Sequence, residues 1–334
     1  MLLYRIITIM SGILMAVSLV LSVFYFTEIR HADRELERVN AKEQDDAAYR
    51  LALITEQMDH EYWHIVEEGV IEAGEELNVE VKYLGTRRTN YEEQYKLMDM
   101  QIAGGVDGII VQAVSEEMFK PLIDKAVSRG IPVVTIDTDA PSSKRASYIG
   151  TDNYEAGFTA GTALASDVGG DAKVAIITNS LTSTHQKLRV QGFEDAVEDF
   201  EGIEIVTVAV SNNTRIEAEQ EAAAIMNEHE DIDAFYGTSA LDGVGIADAL
   251  EGHRREEDIY TVAFDSLDET MNLLQDGAID TIIAQKPYEM GYRSVISMKG
   301  ILQGLHYPSI QHTSVDVITL ENLSDFPFDG RKEP

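Results

Sequence analysis

From Leu51 onward the chain repeats one pattern: a short continuous apolar run, a polar turn, then a stretch with apolar residues at helical spacing. The runs Gly108-Ile-Ile-Val111 and Pro132-Val-Val-Thr-Ile136 do not alternate apolar with polar residues, so strands built from them have both faces buried, as parallel strands between helices do. The intervening stretches supply the crossovers. Ile65, Gly69, Ala73 and Leu77 share one helical stripe, and Tyr91, Tyr95, Met98 and Ile102 recur at steps of four, three and four. The first series predicts strands at 51–55, 79–84, 107–111 and 132–136, with helices at 61–76, 90–103 and 117–129. The second, after Thr151, predicts helices at 154–167, 184–199, 214–228, 241–250, 267–275 and 288–303. Its strands fall at 173–177, 203–210, 233–236, 259–264 and 280–284, with a last one near 314–318. The expected architecture is α/β, two successive doubly wound domains with a cleft between them. The chain is long enough for both, with 334 residues of which 44% are apolar.

The region before Leu51 follows a different rule. Ile6 to Phe26 contains no charge over 21 residues, the length of a membrane-crossing helix. Arg5 precedes it and mixed charges follow, which places the N-terminus in the cytoplasm and the remainder outside. A cleaved signal peptide is the competing reading, but its small-residue site, Ala16-Val17-Ser18, lies inside the apolar run. An uncleaved transmembrane anchor over 1–27 and a charged helical stalk over 28–49 are therefore expected. Ile29, Ala32, Leu36 and Val39 have heptad spacing, too briefly for a coiled coil. With 59 acidic against 26 basic residues the formal net charge is −33, which repels nucleic acid. Cysteine is absent, which excludes disulfides, thiolate chemistry, cysteine-based metal sites and a lipid-modified cysteine.

Signatures of catalysis fail when tested. Gly243-Val-Gly245-Ile-Ala-Asp248 opens like a dinucleotide fingerprint but carries Asp in place of the third glycine and follows a late strand. No Walker loop, no G-x-S-x-G elbow and no H-E-x-x-H helix is present, so neither a catalytic residue, a metal nor a cofactor is expected. Polar residues do collect at the ends of apolar runs. Asp137 ends PVVTID, Asp265 ends TVAFD, Gln285 ends TIIAQ, Ser239 follows AFYGT, and Thr151 follows SYIG. Each could be a helix cap or turn former. Their shared address at the carboxyl ends of parallel strands, where open α/β sheets bind ligands, argues for a site. Tyr62 and Trp63, the latter the only tryptophan, open the first helix; they pin its start or stack on a ligand. Arg189, in the helix at 184–199, is a surface arginine or a bidentate donor into the cleft.

The ordered segments LALITEQMDHEYW, AGGVDGIIVQ, GIPVVTIDTDAP, YIGTDNYEAG, LRVQGF, VAFDS and TIIAQKP resemble the periplasmic sugar-binding proteins of the ribose-binding type, over about residues 50 to 320. These are type I periplasmic binding proteins, related to the ligand-binding cores of lactose-repressor-like regulators. The resemblance implies two Rossmann-like lobes joined by three crossing strands. The lobes are expected at 50–151 plus 286–312 and at 152–285 plus 313–334. It also implies a non-enzymatic protein that closes on a monosaccharide. Tyr62 and Trp63 fall where paired aromatics sandwich the sugar ring, and His60 where an asparagine usually sits. Asp137 and Arg189 coincide with the carboxylate and guanidinium that bind sugar hydroxyls, and Thr151, Asp265 and Gln285 with further polar contacts. Thr138 replaces a second arginine, Asn213 an aromatic wall residue and Ser239 an asparagine, so a pentose or hexose other than ribose is expected. The partner is a membrane histidine kinase that reads the closed form or, alternatively, the permease of an ABC importer. A helix-turn-helix, which DNA-binding relatives carry ahead of the same core, is replaced here by Ile6 to Phe26.

Overall fold

The computed structural model describes residues 49–88, 90–256 and 258–326. The expected anchor and the stalk up to residue 48 lie outside the described residues, and Tyr49, expected to end the stalk, begins the first strand. Among the described residues no helix is long and apolar enough to cross a membrane.

In the first half, β1 (Tyr49–Thr55), α1 (Glu61–Leu77), β2 (Val79–Gly85), α2 (Tyr91–Gly104), β3 (Gly108–Val111), α3 (Glu116–Ser128), β4 (Val133–Ile136) and β5 (Ser147–Thr151) follow in order. The second half continues with α4 (Asn153–Asp167), β6 (Asp171–Thr178), α5 (Thr184–Val197), β7 (Gly202–Val210), α6 (Arg215–Glu228), β8 (Ala234–Gly237), α7 (Ala240–His253), β9 (Tyr260–Phe264), α8 (Asp268–Asp276) and β10 (Thr281–Ala284). The chain then runs through α9 (Pro287–Leu302), β11 (Ile310–Thr313) and β12 (Asp316–Thr319).

Two six-stranded sheets result, ordered β11-β5-β4-β3-β1-β2 and β12-β10-β9-β8-β6-β7. Every pairing is parallel except that of β12 with β10. The continuous apolar runs do what their composition requires. Along β1, Leu51 and Leu53 pack with α1 and α9, while Ala52 and Ile54 pack with α2 and α3 on the opposite face. Each fully buried leucine or isoleucine contributes roughly 1.5–3 kcal/mol of transfer free energy.

The chain passes between the sheets three times: from β5 into α4, from β10 into α9, and from β11 to β12. The strand expected near 314–318 is β12, and a further strand that the apolar pattern did not mark, β11, lies just before it. Ile310–Thr313 pairs with β5 and Asp316–Thr319 with β10, so the chain changes sheets between Thr313 and Asp316. The helices that follow these crossings pack closely on a partner in their new lobe. A Cβ on Gly69 of α1 would collide with the Tyr288 carbonyl of α9, and one on Gly192 of α5 with the Tyr154 carbonyl of α4. Gly243 and Gly245, the false dinucleotide fingerprint, serve packing in α7: Gly243 lies against the Cβ of Ala263 and Gly245 against the Cβ of Ala218.

Candidate ligand-binding cleft

The carboxyl ends of both parallel sheets open onto a single cavity with about 570 Å³ of open space. Its position is the one open α/β sheets favour for a ligand. The lobes meet at its rim. Glu61 at the start of α1 accepts a hydrogen bond from the Asp268 N–H at the start of α8, 3.0 Å away. Ala240 and Leu267 of the second lobe join the apolar cluster that holds Tyr62 and Trp63.

On the first-lobe wall Asp137 follows β4 with a left-handed backbone, φ 61°. A carboxylate in that conformation must be held in place, and three donors do so. The Tyr62 hydroxyl donates to Oδ1 at 2.9 Å; Gln112 Nε2 and Thr138 Oγ1 donate to Oδ2 at 3.1 and 2.9 Å. Burial and the Asp137 charge push the Tyr62 hydroxyl well above its ordinary pKa, so it stays a donor. The rings of Tyr62 and Trp63 meet edge to face, with centroids 5.3 Å apart and planes at 83°. They make a corner and leave no slot between parallel faces, because the Tyr62 ring is turned to reach Asp137. His60 caps α1: its Nδ1 accepts the Tyr62 N–H at 3.3 Å, and burial lowers its pKa, keeping that lone pair free. Beside it, Glu56 is pushed up to about 7 by burial and then by the Asp137 charge.

The second-lobe wall is built on the first turns of α5. Arg189 is 4% exposed, so it is no surface arginine. Its Nε donates to Asn153 Oδ1 and its Nη1 to the Thr238 carbonyl, both at 2.8 Å, and its guanidinium carbon lies 3.7 Å over the Phe264 ring. His185, about one turn before it, is lowered to about 4 by burial and then by the Arg189 charge, so it is neutral at physiological pH. Asp265 follows β9 with φ 67° and accepts from Gln285 Nε2 at 2.7 Å. Burial raises it to about 6 even though Arg189 pulls it down.

Nine of the expected residues border the cavity: His60, Tyr62, Trp63, Asp137, Arg189, Asn213, Ser239, Asp265 and Gln285. Thr138 and Thr151 stand behind the wall. Each spends its hydroxyl on a neighbour, Thr138 on Asp137 and Thr151 on Gln285 Oε1 at 2.6 Å. Ser239, although at the border, caps α7 and donates to the buried Asp242 at 2.7 Å. The cavity also takes in Glu56, Gln112, Asn179, His185 and Gln186, which the sequence reading did not single out. For His185 and Gln186 a signal existed: they precede Arg189 by four and three residues, which is the same helix face.

Three carboxylates, a guanidinium and several amides around an aromatic corner, enclosed between two lobes, define a binding protein for a small polyhydroxylated ligand. The chain belongs to the type I periplasmic sugar-binding proteins of the ribose-binding type: residues 51–306 match the family described as periplasmic binding protein domain. It is similar to the solved structure of GanP, a glucose-galactose binding protein from Geobacillus stearothermophilus, at 47% identity and a TM-score of 0.81, covering 83% of this chain and 99% of that one. A solved XylFII-LytSN complex matches at 33% identity and a TM-score of 0.76, covering 82% of this chain and 98% of that one. The ribose import binding protein RbsB of Bacillus subtilis is 21% identical over 256 residues, 77% of this chain and 82% of that protein.

Proposed function

We propose that this chain is an extracytoplasmic binding protein that closes its lobes on a monosaccharide and does not transform it. The observation that carries this reading is the convergence of Trp63, Asp137, Arg189, Asp265 and Gln285 on one cavity from separate strand and helix ends. A pyranose offers apolar C–H faces to an aromatic wall and an equatorial rim of hydroxyls to planar carboxylate, amide and guanidinium partners. In this reading Trp63 stacks on the ring, Asp137, Arg189, Asn213 and Asp265 bind hydroxyls, and Tyr62, His60, Thr138, Thr151, Ser239 and Gln285 hold those groups in place. The 47% identity to a glucose-galactose binding protein favours a hexose.

Capture for the permease of an ABC importer is one use of this event, supported by the import role in the name of the Bacillus subtilis relative. Signalling to a membrane histidine kinase is the second. It is supported by the charge-free run Ile6–Phe26, which suits a tether, and by a relative solved in complex with another protein. Trp63 is the only tryptophan, so its fluorescence reports the cavity alone. The full chain, titrated with glucose, galactose, ribose, xylose and arabinose, should respond to a hexose with the tightest affinity. A ligand at 100 times its Kd should add about 2.7 kcal/mol of stability. No response to any sugar would refute the reading. Co-purification with a kinase or with importer subunits from membranes would then choose between the two uses.

A further inference from the structure

Glu56 is the acid that the hydroxyl-binding scheme leaves without a task. It follows β1, and its backbone is fixed from both sides: the N–H donates to Gln112 Oε1 at 3.0 Å, and the carbonyl accepts from the Thr86 hydroxyl. Its carboxylate accepts from Gln112 Nε2 at 3.3 Å, and the same nitrogen serves Asp137. One amide thus bridges two carboxylates on one wall of the cavity. Among the described residues, Asp137 accepts three side-chain hydrogen bonds whereas the Glu56 carboxylate accepts one, so Glu56 is the freer acceptor of the pair.

The charges around the cavity are unequal. Glu56, Asp137 and Asp265 border it against one permanent cation, Arg189, which stands on the second-lobe wall with two of its nitrogens committed to Asn153 and Thr238. His60 and His185 border it as well, both displaced by burial toward the neutral form.

We propose, resting on the sugar-binding reading, that Glu56 is a specificity-determining residue: joined to Asp137 through Gln112, it restricts the ligand to uncharged or amine-bearing hexoses and excludes uronates and sugar phosphates. Above pH 8, where Glu56 is ionised although burial pushes it up to about 7, an anion placed against this wall meets two acceptor-only carboxylates, and no cation lines the cavity on the same side. A like charge within a few ångströms in a protein interior is strongly repelled. A ring hydroxyl donates to Glu56, and a protonated amine does so with charge assistance.

Calorimetry on the full chain at pH 8.5, where Glu56 is ionised, tests this with glucose and galactose, their 2-amino analogues and their uronates. Each uronate should bind at least 100-fold more weakly than its parent hexose, and at least one amino sugar within tenfold of its parent. In Glu56→Gln the uronate penalty should shrink at least tenfold. A uronate within tenfold of its parent in the wild type, or a penalty unchanged in Glu56→Gln, would overturn the proposal while leaving the sugar site standing. If Glu56→Gln loses the hexoses too, Glu56→Asp, which keeps the charge, must recover both hexose binding and uronate exclusion. Failure of that rescue also counts against Glu56. Loss of every neutral hexose by the wild type would instead bring down the sugar-binding reading itself.

Discussion

The two lobes place an aspartate at the same address and surround it differently. Asp137 follows β4 and Asp265 follows β9, the fourth strand in each series, and both adopt a left-handed backbone, with φ 61° and 67°. Repetition of the strand–helix order carries the chain out of both sheets at equivalent points, and the two strand ends face each other across the cleft. What differs is the company. Asp137 sits among three donors, an aromatic corner and a second acid, Glu56. Asp265 has one side-chain donor, Gln285, and a guanidinium nearby. Topology therefore sets where a polar group emerges, while the side chains of neighbouring loops set what it can recognise. The first lobe offers acceptors and a stacking surface; the second offers the cation.

The strongest way to break this division is to remove the cation. Arg189→Met keeps most of the length over Phe264 but loses the bonds to Asn153 and Thr238 and the field that offsets the burial of Asp265. Hexose affinity should fall more than 100-fold, about 2.7 kcal/mol or more, measured by calorimetry. A loss under tenfold would mean that the second lobe does not depend on its guanidinium, and the contrast between the walls would lose its meaning.

A sharper test sets the two aspartates against each other. Both Asp137→Asn and Asp265→Asn should weaken hexose binding at least tenfold, but their effects on the unliganded protein should have opposite signs. Asp137 accepts three hydrogen bonds as a charged group, and losing that charge assistance should lower the melting temperature by the equivalent of about 1–2 kcal/mol. Asp265 is held up at about 6 from an ordinary 3.8. A carboxylate raised in the folded state contributes stability below its unfolded pKa and loses it as pH rises through the folded one. Above pH 6 its ionisation therefore opposes folding, by on the order of 2 kcal/mol. Asp265→Asn should melt higher than the wild type at pH 7.5, and the gain should shrink steadily as the pH falls to 4.5. Thermal melts of both variants across that range would show it. Equal shifts for the two would place the aspartates in equivalent environments after all.

Much of this arrangement could be read before any coordinates. Apolar runs buried on both faces marked the parallel strands, and polar residues at their ends marked Asp137, Asp265 and Gln285. Strand β11, Ile-Gln-His-Thr, was hidden because it has no apolar run to announce it and is largely exposed; the change of lobe beside it was implied by the family resemblance alone. Glu56 was hidden for a different reason. In a chain with 59 acidic residues one more glutamate in a polar loop carries no information, and only the Gln112 bridge separates it from the solvated ones. Gln112, at the end of an apolar run like Gln285, obeyed the same rule that found the others. The perpendicular setting of Tyr62 and Trp63 had no sequence signal, since it depends on a hydroxyl reaching a carboxylate 75 residues away.

The smallest expected effect bears on how the walls are coupled. Thr151 ends β5 in the first sheet and donates to Gln285 Oε1 at 2.6 Å; Gln285 follows β10 in the second and donates to Asp265 at 2.7 Å. This relay ties two of the three crossings to a group at the cavity. Thr151→Val keeps the shape and removes the donor, leaving Gln285 fixed from one side. Because Asp265 still holds the amide, hexose affinity should drop only about threefold, roughly 0.7 kcal/mol, with the melting temperature nearly unchanged. An unchanged affinity would make the contact between crossings a bystander. A loss beyond tenfold would mean that Thr151 reaches the ligand directly, restoring the role that family resemblance assigns it and removing it from the support behind the wall.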